Sequence, residues 1–517
     1  MAQSLQNINI GSPGFLGVNT EDSAINLDVN FATVADNAVI DRYGRLGARK
    51  GFDLATDYDR SELLVSGTNY NPITNIFYFE DEQGNNNLLA SGNGKLYTVD
   101  EGDGSLTDDT PGSYTVNGDD WCYVSLQNNA FLFQEGQAPL TFTDSGGYAT
   151  TTDIPQGKFA ISAFGRVWVA GVEDNTSTVY WSDLLDGTEF TTGSSGSIDI
   201  STVWPQGYDE VTGLAAYNDF LIIFGRDNIV VYSGADSPAN MVVSDTIGGL
   251  GCVAWRTIRD IGNEILYLSR AGLRSFNRTI QGGALPISDV SNNIRREVVL
   301  QTEAVLTNNS LVDAVFYPED YLYLLTFRAD EAPWNYSTTY AFDVRQPLQD
   351  GAFRVTRWPG SPFYTLHNHQ GTLWAGNEYG VGTYSGYQDL AAPSSEYRYK
   401  WYSVFLTFDQ EDMLKFLKQI RGVFISSTVP YAQIYWGYGY SRVFKSQTVP
   451  LNMAPTAEFA IDEFQLAEFG GGVTFSEPKV KPFGSGSTVT IGIEATIDGG
   501  SLSLQEVNVQ TLLGRLQ

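Results

Sequence analysis

Histidine is nearly missing from this chain of 517 residues; the two present are His367 and His369. Cysteine is as scarce, limited to Cys122 and Cys252, and methionine stops at four. Two cysteines build neither a disulfide framework nor a zinc site, and they fit a chain matured in a reducing compartment. Two histidines supply little for Ser–His or Cys–His catalysis, and no Gly-x-Ser-x-Gly elbow accompanies them. Basic residues are in deficit, 30 Lys and Arg against 60 Asp and Glu, for a formal charge of −30 at pH 7. That balance excludes a basic nucleic-acid reader, which needs clustered Lys and Arg on the phosphates. Long apolar runs are lacking too. The richest, such as Phe220–Phe224, end quickly in Gly or charge, far short of the roughly 20 residues that span a bilayer. The opening Met1–Asn7 shows neither the basic start nor the apolar core of a signal peptide, so the expectation is a soluble protein or part of a soluble assembly.

What is present is β-forming sequence. Hydrophobic residues make up 42% of the chain and aromatics 13%, enough to exclude disorder, and the length implies two or three domains. A β-rich run, a turn signal and a second β-rich run recur. The pairs are Leu88–Val99 around Asn93-Gly94, Phe131–Phe142, Val167–Trp181, Phe220–Tyr232, Ile265–Phe276, Leu322–Phe342 (with Pro333 in its loop) and Thr372–Tyr384. Their spacing of about 36–57 residues is close to that of a four-stranded propeller blade. A lone hairpin cannot cover both its faces, so neighbours must stack around an axis. The alternative is a run of unrelated hairpins in two sandwiches.

Two stretches break the rhythm. From Ser288 to Glu303, helical spacing with Ser288 or Asp289 as cap predicts a short helix. Asp412–Ile420 suits a helix or a strand. Beyond residue 393 the pattern alternates with period two, as in Leu502–Val509. The fold class expected is therefore all-β: a propeller of about seven blades followed by a C-terminal antiparallel β-sandwich. Residues 1–60 form an N-terminal strand and docking segment, 61–392 the propeller, and 393–517 the sandwich completing the platform.

Catalytic and metal patterns are sparse. His367 and His369 share a face in a strand, and are either metal ligands without an evident third partner or a pair of polar surface residues. Walker A, dinucleotide and His-Glu-x-x-His patterns are missing. Ser182–Phe190 only approximates a sialidase Asp-box. The acid loops Asp100–Asp103 and Asp108–Asp109 match no EF-hand and read as calcium sites or solvated turns. The expectation is no catalytic residue, no cofactor, no metal and no enzymatic activity. Arg42, Arg45, Arg49 and Lys50 stand out in so acidic a chain. They are candidates for docking on an acidic partner, an adaptor-binding patch, or else they pair with local acids.

Asn37–Gly51, with its Arg-Tyr-Gly-Arg-Leu-Gly core, resembles the opening of the tail nozzle (hub, or packaged-DNA stabilisation) proteins of short-tailed phages. Arg166–Gly171 followed by Val179–Asp183 and Phe190 is similar to one of their blades. Leu266–Leu273, then Pro286–Ser288 and Ile294, resembles their blade-to-helix junction. Gln505–Val509 with Gly514–Arg515 resembles their closing strand. The resemblance implies a homo-oligomeric ring, a hexamer, in the virion tail, assembled in the host cytoplasm. It would sit below the portal–adaptor complex, contact the tail adaptor and the tail fibre or spike proteins, retain packaged DNA, and pass it at ejection without specific binding. Charge is consistent with this, because an acidic wall repels a duplex carrying about one negative charge per 1.7 Å; solubility explains it equally well. The competing expectation is a carbohydrate-binding or glycan-degrading propeller, with Trp334, Trp358 and Trp374 stacking on sugar rings.

Overall fold

The computed structural model describes residues 5–54, 73–92, 94–102, 104–112, 114–116, 120–282, 289–308, 311–328, 337–377, 380–389, 396–440, 443–452 and 474–515. Asn93, Asp103, Pro286–Ser288, Pro333 and Trp334 therefore lie outside the described residues.

Six of the seven recurring hairpins read from the sequence are the middle of a larger sheet. Phe220–Gly225 and Asn228–Ser233, for example, are the second and third of four antiparallel strands, flanked by Val211–Tyr217 and Val242–Gly248. The middle strands are buried on both faces and so are nearly continuous in apolar residues. Outer strands such as Gly147–Thr150 are half-exposed and carry a weaker pattern. Six four-stranded blades form in this way. Blades 1 to 4 span residues 75–108, 121–150, 159–199 and 211–248, and blade 5 spans 312–361. Blade 6 joins three strands of 365–385 to Gly51–Leu54, so a strand from near the N-terminus closes the circle.

The count differs from the seven expected. Among the described residues, the hairpin Ile265–Ser269 and Gly272–Ser275 gains the short strand Arg259–Asp260 and a single bridge from Arg274 to Asp289, giving a three-stranded sheet between blades 4 and 5. The helix Arg295–Asn308 also packs on Gly272–Ser275. That helix is the expected one, displaced several residues towards the C-terminus. Asp412–Ile420 resolves as strand, the first part of Met413–Ser426.

The two chain ends build one platform. Leu5–Ile10 pairs with Leu502–Arg515, Phe31–Asp36 with Tyr397–Ser403, and Leu46–Ala48 with Ser503–Leu504. The expected N-terminal segment and C-terminal sandwich thus share two sheets of seven and ten strands. The ten-stranded sheet also contains blade 5, joined to the platform through Arg357 opposite Asp36. The largest core holds Trp401, Ile434, Phe424 and Val507 of the platform together with Leu325 and Phe342 of blade 5.

Candidate functional site: the propeller axis and its faces

The innermost strands line the axis, and two cavities open along it. One, of about 1130 Å³, is lined by Lys158, Arg226, Arg270, Arg328, Trp255 and Leu306 among others. The second, of about 400 Å³, is lined by Asn75, Tyr123, Arg259, Asp313 and His367. Between them stands the 3-10 turn Trp255–Thr257, whose Trp255 and Arg256 contribute to both walls. Arg256 is buried and reaches across the ring. It donates to the carbonyls of Thr74 (3.3 Å) and Trp121 (3.2 Å), and its Nε lies 3.0 Å from the Asp120 carboxylate. The clasp ties the three-stranded sheet to blades 1 and 2 and divides the axis. No sequence signal announced it, because its partners are more than 130 residues away.

Much of the charge in the larger cavity is locally matched. Lys158 Nζ sits 2.9 Å from Glu135 and 3.8 Å from Asp120, and Arg226 pairs with Glu210. At the other face the picture is different. The turns 81–85, 100–105, 127–128, 144–146, 164–165, 182–195, 218–219 and 234–241 carry ten described carboxylates and no lysine or arginine. Several are pinned within their own loops. Asp183 Oδ1 accepts from the Leu184 amide (2.8 Å), the Ser194 amide (2.9 Å) and Ser194 Oγ (2.6 Å). Those bonds favour the carboxylate and pull its pKa to about 2. The Asp-box-like stretch is therefore a loop pin. Over residues 75–248 the chain carries 25 acids and 4 bases.

The histidines lie on the inner strand of blade 6 but do not converge on an ion. His369 stacks on Tyr78 with ring centres 3.4 Å apart, and His367 tilts against Phe77 at 6.1 Å. Burial, then the charges of Arg259 and His369, lowers the His367 pKa to about 4, so it is neutral at pH 7. No group of three or more His, Cys, Asp or Glu is placed to hold a metal among the described residues. Cys122 and Cys252 are both buried thiols, each pushed up to about 12 by desolvation. Trp358 is fully buried, donates to the Ala38 carbonyl (2.8 Å) and stacks on Tyr384, while Trp374 fills a blade core. Neither offers a face to a sugar.

The basic cluster does not form one surface. Arg49 is 1% exposed, holds Asp389 in a two-pronged pair (2.8 and 2.6 Å), donates to Asn37 Oδ1 and stacks over Tyr397 at 4.1 Å. Burial opposes its charge, and Asp389 more than offsets this, so its pKa is raised. A Cβ on Gly51 would fall on the Gln388 carbonyl, so the chain passes this seam only as glycine. Arg45 is 5% exposed, 3.7 Å from Asp41 and stacked on Tyr43. Lys50 is half-buried and Arg42 alone is exposed. The docking role expected of Arg45 and Arg49 is corrected accordingly: their guanidinium groups are spent inside the fold, with Arg49 clasping the platform to blade 6.

No family model matches the sequence, and no curated protein matches it. Solved structures that resemble it include YCF48 bound to D1 peptide, at 10% identity and TM-score 0.37, covering 65% of this chain and 97% of that one. The WD40 domain of Neurospora crassa Pan2 aligns at 9% identity and TM-score 0.27, over 68% of this chain and 88% of the other. The computationally designed Ika8 protein aligns at 12% identity and TM-score 0.35, over 72% of this chain and all of its own. The propeller assignment rests on the sheet topology described above. No helix among the described residues is long and apolar enough to cross a membrane.

Proposed function

We propose that this chain is a structural ring subunit, the tail nozzle below the portal–adaptor complex of a short-tailed phage, which retains packaged DNA and conducts it at ejection. The observation that carries the reading is the sorting of charge: 25 acids against 4 bases in residues 75–248, with a turn face free of described cations. Such a wall repels a polyanion, and a duplex slides past without phosphate contacts to break. In this reading the bore lies between copies, because Arg256 closes the propeller's own axis. Six copies, the adaptor, and a fibre or spike are the partners the reading requires, and the virion tail is its location. The burial of Trp358 and Trp374 speaks against the sugar-stacking alternative. Negative-stain imaging of the purified chain with portal and adaptor tests the proposal. Rings with a central bore are the expected result; monomers that release sugar from host polysaccharide would refute it.

A further inference from the structure

The platform has an edge whose character is opposite to that of the blades. Lys445–Pro450 is the last strand of the ten-stranded sheet, and four of its first five residues have no neighbour to cover them. The segment 474–484 runs beside it. Asn452 bonds to Ser476 Oγ and to the Phe475 carbonyl at one end, and Lys445 Nζ lies 4.0 Å from the Phe483 ring at the other. The free edges of both platform sheets therefore meet in one strip. Along it Val443 is 77% exposed, Phe483 65%, Tyr440 64% and Phe475 53%. Lys445, Lys479 and Lys481 are exposed on the same strip, and none makes an ion pair among the described residues. In the described residues of the strip, 443–452 and 474–484, the bases are Lys445, Lys479 and Lys481 and the only acid is Glu477. An apolar, basic strip on a chain of charge −30 marks a contact surface.

The chain also carries a counterpart. Of the outer strands that end a blade in solvent, Val242–Gly248 of blade 4 is the longest, with Val242 61% and Val243 43% exposed. Asp245 on this strand and Asp236 in the turn before it are exposed. We infer that the platform strip of one copy packs against the blade 4 edge of a second copy, Lys445 and Lys481 facing Asp236 and Asp245, and Phe483 and Val443 meeting Val242 and Val243. Two different patches on each chain give a heterologous contact, which closes into a ring when the rotation permits. The inference rests on the ring reading above and names the surface that makes the ring. The turn acids of blades 1–3 stay clear of the contact and face the bore.

Sedimentation and native mass spectrometry of full-length variants test it. K445E/K481E and D236K/D245K are each expected to weaken self-association by at least about tenfold, with unchanged circular dichroism and melting. Mixed at equal concentration, the two variants should assemble again in alternation, because each native patch meets its native partner and each reversed patch meets a reversed one. The quadruple charge swap should restore assembly. Variants that assemble like the unaltered chain, or a mixture that stays monomeric, would overturn the contact. So would wild-type binding to anionic vesicles that K445E/K481E abolishes while assembly is untouched, since the strip would then be a lipid surface. Rings that persist in every variant would sink this contact and leave the nozzle reading standing. Wild-type dimers or filaments without a bore, abolished by the same changes, would do the reverse.

Discussion

Residues 75–248 and the platform strip belong to one chain, yet one holds 25 acids to 4 bases and the other, among its described residues, three bases to a single acid. A net charge of −30 is thus an average over two surfaces of opposite sign. Solubility alone asks for net charge with both signs interspersed, not for separate regions of one sign. Sorting by region is what the proposed ring would use, with an acid arc that repels and a basic strip that holds. The regions differ inside as well. The platform seam spends its cations on buried pairs such as Arg49–Asp389, whereas the arc binds its carboxylates into their own turns.

The sharpest way to break this contrast is to remove the seam. Arg49→Met leaves Asp389 buried without its partner and is expected to cost about 3–5 kcal/mol, read by urea unfolding; Arg49→Lys, which loses the two-pronged geometry, should recover only part. Arg256→Ala frees the carbonyls of Thr74 and Trp121 and should cost about 2 kcal/mol. That loss should appear as faster hydrogen exchange on the inner strands of blades 1 and 2.

Acid titration probes blade 6. With its folded pKa near 4, below the ordinary 6.5, His367 takes up a proton in the unfolded chain first. Its contribution is therefore fully present above pH 6.5, falls as pH drops, and is gone near pH 4. The gap between 6.5 and 4 is worth about 3 kcal/mol at full burial and about 2 kcal/mol for this partly exposed ring, and His367→Asn should flatten that part of the curve. Smallest of all, Arg42→Glu on the exposed turn should move stability by no more than about 0.5 kcal/mol. A large loss there would mean that the basic cluster acts as a unit after all.

The propeller was legible because the middle strands of each blade, such as Phe131–Phe133 or Leu322–Phe327, are apolar throughout and their turns are local. Inner strands were harder to see. Phe159–Ala163 pairs with a neighbour only a turn away, yet its half-exposed pattern looks like loop. Long-range closure left no trace at all. Gly51–Leu54 joins a blade more than 320 residues distant, and Leu5–Ile10 pairs near the far end of the chain, contacts that no local pattern encodes. The basic cluster was visible as composition, but its burial depended on Asp389 and Tyr397, which only the fold brings near.

The most direct test of the central claim is a cryo-EM reconstruction of the assembled tail, with the charge of the bore read residue by residue. The account predicts a closed ring whose wall presents the aspartates and glutamates of blades 1–3, with the lysines of the platform strip buried between copies. Isolated subunits, or a bore coated with Lys445, Lys479 and Lys481, would contradict it.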